Sequence, residues 1–205
     1  ETHLDVLTNG RLLAYQRYAE RIAAVEHPHL LLCVPLYSDV DTLHDFVVQA
    51  RGAFDETVRG LLNLGRVGIP VEVRVVLHRQ TYGRLPRLAE FITRNLPFVA
   101  HVALMGLEVT GFTRANLEAL WIDPAVYAAE LTEAVEILSA AEISTSIYNH
   151  QLCVLPERLW PFAARSISDW KNSYLPLCGG CTVREECGGF FTTSGGRYSQ
   201  YIQPL

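Results

Sequence analysis

The chain has 205 residues, of which 49% are apolar and 19% charged, and a formal net charge of −5. That length can bury one substantial core, and the acidic balance gives no electrostatic basis for nucleic-acid binding. Apolar runs are short throughout, so no membrane-spanning segment is expected, and the protein reads as cytoplasmic.

Glu1-Thr2-His3 leads directly into the strand-like run Leu4–Thr8, which closes on Asn9-Gly10. The run reads as an interior strand. A buried strand needs neighbours on both sides, so the chain is expected to be a fragment whose earlier elements precede Glu1. A helix is predicted over roughly Arg11–Glu26, ended by His27-Pro28. The continuous apolar run Leu30–Leu36 is the second strand, followed by Tyr37-Ser38-Asp39 and a polar connection through Asp45. Phe54, Val58, Leu61 and Leu62 recur at helical spacing up to Gly65, a C-cap signal. Val71–Leu77 is β-branched and strand-like, Arg84–Asn95 an amphipathic helix, and Val99–Leu107 a further strand. Asp123-Pro124 opens a long helix to about Ala140, and Ile143–Tyr148 is the fifth strand.

This β-α alternation implies a parallel sheet with helices outside it. The expected class is α/β, a partial (β/α) barrel lacking its first units, over residues 1–150, with an irregular tail over 151–205. Ligands of such folds bind at the C-terminal strand ends. Thr8-Asn9, Tyr37-Ser38-Asp39, His78-Arg79-Gln80, Glu108 and Asn149-His150 fall there.

The tail carries Cys178-Gly179-Gly180-Cys181 and then Cys187-Gly188-Gly189. Thiols crowded onto a glycine-rich loop point to a metal or iron–sulfur site. Cys153 is the candidate fourth ligand. Cys33, within an apolar strand, is expected to act as a small hydrophobe. Five cysteines without a signal-peptide pattern argue against a disulfide framework. Zinc and an iron–sulfur cluster both accept four thiolates, so the spacing alone leaves a zinc-stapled, non-catalytic protein-interaction module as the alternative. His44, His78 and His150 are read as structural, although His150 stands close enough to Cys153 to approach the metal site or fill an open ligand position.

Several stretches together resemble the His-Xaa-Ser system maturases of the radical S-adenosylmethionine (SAM) superfamily. They are Leu7-Thr8-Asn9-Gly10-Arg11, Met105-Gly106-Leu107-Glu108-Val109-Thr110-Gly111, Leu120-Trp121-Ile122-Asp123-Pro124 and Ile147-Tyr148-Asn149 before Leu152-Cys153. Most specific is the run from Ser166 through Tyr174 to the three clustered cysteines and Phe190-Phe191. The resemblance implies a peptide-modifying enzyme acting on a partner peptide with His-x-Ser repeats, and a sister radical SAM protein as a further partner. It favours an auxiliary 4Fe-4S cluster on Cys153, Cys178, Cys181 and Cys187. It also implies that Tyr37 and Ser38 approach the SAM ribose, Arg74 the SAM carboxylate and Gly106 the adenine, with Glu108 at the same mouth. Each has a structural alternative: a turn for Tyr37-Ser38, a salt bridge to Glu72 or Glu108 for Arg74, a bulge for Gly106 and an ion pair or cap for Glu108. Trp160, Trp170, Phe190 and Phe191 either shield the cluster or simply pack. The family's C-x3-C-x2-C loop and Gly-Gly-Glu-Pro stretch are absent from this sequence. SAM and a second 4Fe-4S cluster are therefore expected only in a longer enzyme, with both motifs upstream of Glu1.

Overall fold

The computed structural model describes residues 2–166, 172–194 and 196–205. Six strands form one sheet in the order β1 to β6, every neighbouring pair parallel. They are β1 (Leu4–Leu7), β2 (Leu30–Pro35), β3 (Val71–Leu77), β4 (His101–Gly106), β5 (Ser144–Tyr148) and β6 (Ala163–Ala164). A doubly wound sheet reverses its strand order at a switch point. This one runs in a single direction, as successive βα units of a barrel do.

Between the strands lie α1 (Gln16–Ala23), α2 (Asp41–Val48), α3 (Ala53–Arg66), α4 (Leu85–Asn95), the single turns α5 (Phe112–Ala115) and α6 (Leu117–Leu120), and α7 (Ala128–Ala140). The predicted first helix is broken: Arg11–Ala14 is a 3-10 turn, and α1 begins only after Tyr15 takes an extended conformation. The stretch read as a polar connection contains α2. It ends at Gln49 in the left-handed region, and the Asp45 carboxylate accepts the backbone N–H groups of Gly52 and Phe54. Asp45 thus ties the end of α2 to the start of α3. β6, two residues long, carried no periodic signal.

Pleating sorts the side chains onto two unlike faces. Leu32 and Val34 align with Val71 and Val73, Val73 and Val75 with Val102 and Leu104, and Leu104 with Ile147. All are buried with Leu61 and Leu64 of α3, Leu88 and Ile92 of α4, and Leu131, Val135 and Leu138 of α7. The opposite face holds Cys33, Glu72, Arg74, His101, Ala103, Ser144 and Ser146 in matching rows. A sheet covered by helices on both sides would be apolar on both. The small and polar second face is that of a barrel interior.

β1 is less buried than the sequence suggests. It lies at the sheet edge, with Leu4 42% and Leu7 66% exposed. No helix among the described residues is long and apolar enough to cross a membrane.

Candidate metal centre and barrel mouth

At the C-terminal end of β2, Ser38 is fully buried and its Oγ accepts the Val40 backbone N–H at 3.2 Å. That bond shapes the entry to α2. Tyr37 donates its backbone N–H to His44 Nδ1 at 3.3 Å, and its ring stands against His44 and His78. Burial raises its phenol pKa. Asp39 receives a two-pronged contact from Arg84, with Nε to Oδ1 at 2.7 Å. Burial opposes the Asp39 charge, yet the Arg84 bond holds the carboxyl below its usual range. His78 is 2% exposed, and burial lowers its pKa to about 4. Its Nδ1 accepts the Gln80 N–H, and Nε2 is buried without a hydrogen-bond partner among the described residues.

Arg74 lies on the barrel-interior face and meets Glu72, Nε to Oε1 at 2.6 Å. Burial works against the guanidinium charge, but Glu72 outweighs it. Of the two carboxylates considered for Arg74, Glu72 is the one engaged. The same pair corrects the reading of Cys33. Although 1% exposed, its thiol sits outside the apolar cluster and bonds the Glu72 carboxylate. Burial and then Glu72 push its pKa up to about 11. Parallel register with one residue's offset decides this, since Cys33 aligns with Glu72 rather than with a valine.

Gly106 ends β4 against the backbone of Asn149. A Cβ there would meet the Asn149 carbonyl oxygen at 2.5 Å, and Asn149 Nδ2 donates to the carbonyls of Gly106 and Leu107. The close approach expected at Gly106 is thus made by the chain itself. Glu108 accepts the Thr193 hydroxyl at 3.2 Å, linking the strand end to the tail. His150 is 2% exposed, with Nε2 2.9 Å from the Tyr127 hydroxyl and Nδ1 2.9 Å from the Tyr148 carbonyl. The carbonyl requires a proton on Nδ1, so Nε2 accepts from Tyr127. Both ring nitrogens are engaged within the protein. Burial brings its pKa down to about 4.

The tail folds back over this mouth. Asn172–Ser173 (β7) pairs antiparallel with Phe190–Phe191 (β8). The expected motif residues 167–171, including Trp170, lie outside the described residues. An open pocket between strand ends and tail is lined by Leu77, Gly106, Trp121, Tyr127, Phe191 and Tyr198, among others. Beside it, and sharing Gln151 and Phe190 with it, is a second, smaller cavity.

Cys153, Cys178, Cys181 and Cys187 all line this second cavity. Each is a free thiol, and Cys33 is not among the lining residues. Burial raises the Cys153 pKa; the Gln203 backbone N–H pulls the other way, and the nearby Cys187 and Cys178 raise it further. Gly189 donates its backbone N–H to Cys187 Sγ at 3.4 Å. Gly189 has φ of +62°, and a Cβ there would meet the Ser173 carbonyl oxygen at 2.6 Å. The Gly188-Gly189 pair therefore lets the chain turn under the thiol while β7 passes close by. Among the described residues no three His, Cys, Asp or Glu side chains are drawn together tightly enough for one metal ion. Phe190 lines this cavity and Phe191 the larger one. Trp160 instead packs on the core and donates Nε1 to the Leu152 and Leu155 carbonyls.

The sheet, its single winding and its polar inner face form part of a (β/α) barrel, and solved structures share that fold. The chain is similar to SuiB of Streptococcus suis, with a TM-score of 0.58 and 18% identity over 75% of this chain and 34% of that one. Against SuiB bound to S-adenosylmethionine the TM-score is 0.58, with 17% identity over 82% of this chain and 36% of the other. Against SuiB bound to the precursor peptide SuiA it is 0.54, with 17% identity over 70% and 31%. This chain therefore spans about a third of the SuiB chain. No protein-family profile and no curated protein matches the sequence.

Proposed function

We propose that this chain is part of a radical SAM peptide-modifying maturase whose tail holds an auxiliary 4Fe-4S cluster on Cys153, Cys178, Cys181 and Cys187. The observation that carries the reading is that these four thiols, and not Cys33, line one cavity beside the strand ends. The fold likeness to SuiB supports the enzyme class, and SuiB itself has been solved bound to a precursor peptide. The substrate is a peptide with His-x-Ser repeats, a choice that rests on the tail and strand-end motifs. A sister radical SAM protein is the further partner.

SAM, bound with its own four-iron cluster, supplies the hydrogen-abstracting chemistry of such enzymes. The residues of this chain bind, orient and exclude water. Arg74, paired with Glu72, would meet the SAM carboxylate. Tyr37 would stand nearest the ribose with buried Ser38 shaping the turn behind it, Gly106 would lie at the adenine edge, and Glu108 anchors the tail through Thr193. Phe190, Tyr174 and Ile202 wall the cysteine cavity from water.

Anaerobic reconstitution with iron and sulfide tests the assignment. The chain should bind about four irons and four sulfides and give a reduced-state paramagnetic signal that Cys153→Ala abolishes or converts. Because the sequence lacks a C-x3-C-x2-C loop, it should release no 5′-deoxyadenosine from SAM. One zinc without labile sulfide would instead support the protein-interaction module. A His-x-Ser repeat peptide that fails to bind the reconstituted chain, while a partner protein does, would count against the maturase.

A further inference from the structure

We propose that the Arg184 guanidinium, with the backbone N–H of Gly189, forms a positive collar that sets the reduction potential of the group held by the four cysteines. The inference rests on the cluster reading above and adds residues that neither the motif nor the fold likeness singles out.

Arg184 lines the same cavity as the four thiols. It is held by stacking, its guanidinium carbon 4.9 Å from the centre of the Tyr174 ring. Tyr174 is itself fixed, because its hydroxyl donates to the Cys187 carbonyl at 2.8 Å. A ligand residue's own backbone therefore positions the ring that positions the charge. On the ligand side, Gly189 N–H reaches Cys187 Sγ at 3.4 Å. One of the four sulfurs thus receives an N–H, and the Arg184 cation stands at the rim.

A thiolate-bound iron–sulfur group gains one negative charge when it takes one electron. A nearby cation and donors aimed at sulfur stabilise that more negative state more than the oxidised one, which raises the potential. Arg184 is exposed, so added salt should weaken its share of the effect. Glu185, its exposed chain neighbour, carries the opposite charge and is screened in the same way.

The test is a spectroelectrochemical titration of the anaerobically reconstituted chain, with the electrode as electron source. Arg184→Gln should lower the midpoint potential, reducing the reduced-to-oxidised ratio at fixed potential by about tenfold, equivalent to ~59 mV for a one-electron couple. Arg184→Lys should stay near the parent, and the gap between the two should shrink at high salt. Iron and sulfide content should be unchanged in both Arg184 variants. An Arg184→Gln protein with full iron and the parent potential overturns the collar, as does one that loses its iron. A parent chain that binds no iron overturns the cluster reading itself, and the collar with it.

Discussion

The barrel body and the cysteine tail are ordered by different means. In the body, apolar side chains of four strands interlock with α3, α4 and α7, and a continuous parallel ladder satisfies the backbone. After β6, the described part of the tail has only the short β7–β8 pair and turns as regular elements, held by side-chain bonds such as Gln151 to the Gly189 carbonyl, Tyr174 to the Cys187 carbonyl and Thr193 to Glu108. Burial stabilises a core in proportion to its area, whereas each such hydrogen bond contributes only about 1 kcal/mol net. A segment built the second way gains most from whatever it binds.

Mutations in each region put this contrast under the greatest strain. Leu104, 1% exposed at the centre of the sheet, should cost about 2–5 kcal/mol as Leu104→Ala, read by chemical denaturation. In metal-free protein, replacing Cys178, Cys181 and Cys187 together by alanine should leave that midpoint nearly unchanged. In reconstituted protein the same change should make the segment after Gln151 protease-sensitive. Equal loss of global stability in both would mean the tail belongs to the core.

Acid should separate the regions next. Burial holds His78 and His150 at about 4, below the ordinary histidine value. The unfolded chain therefore binds their protons first. Their contribution to stability is complete above pH ~6.5 and is lost as pH falls towards 4, on the order of 1–2 kcal/mol each by pH 5. His150→Gln should flatten the loss between pH 7 and 5. An unchanged slope would mean His150 is not buried neutral.

Glu72→Gln should cost about 1–3 kcal/mol, because Arg74 and the Cys33 thiol both lose their carboxylate partner. The same variant should lower the Cys33 pKa, measurable by the pH dependence of thiol alkylation. The smallest effect belongs to Cys33→Ser. Since Glu72 already accepts from this position, the new hydroxyl finds an acceptor, and the cost should stay under about 1 kcal/mol. Iron content should be unaffected; iron loss without unfolding would put Cys33 in the ligand set.

Much of the body was legible in the sequence, because runs such as Val71–Leu77 and helical spacings such as Leu85, Leu88 and Ile92 encode burial directly. The break at Tyr15 and the helix α2 were not, since both depend on how Asp45 and the Arg11–Ala14 turn seat against α3.

Residue types and their local spacing were enough to set the α/β alternation and to gather three cysteines on one glycine-rich loop. What each group faces came only with the folded chain. Register put Cys33 beside Glu72 instead of among the valines, and crossover geometry brought Asn149 onto Gly106 and His150 Nε2 onto Tyr127. Folding of the tail brought Cys153 and Gln203, far apart in the chain, to one cavity. These are contacts between distant residues, and residue type and local spacing do not specify a distant residue's partner.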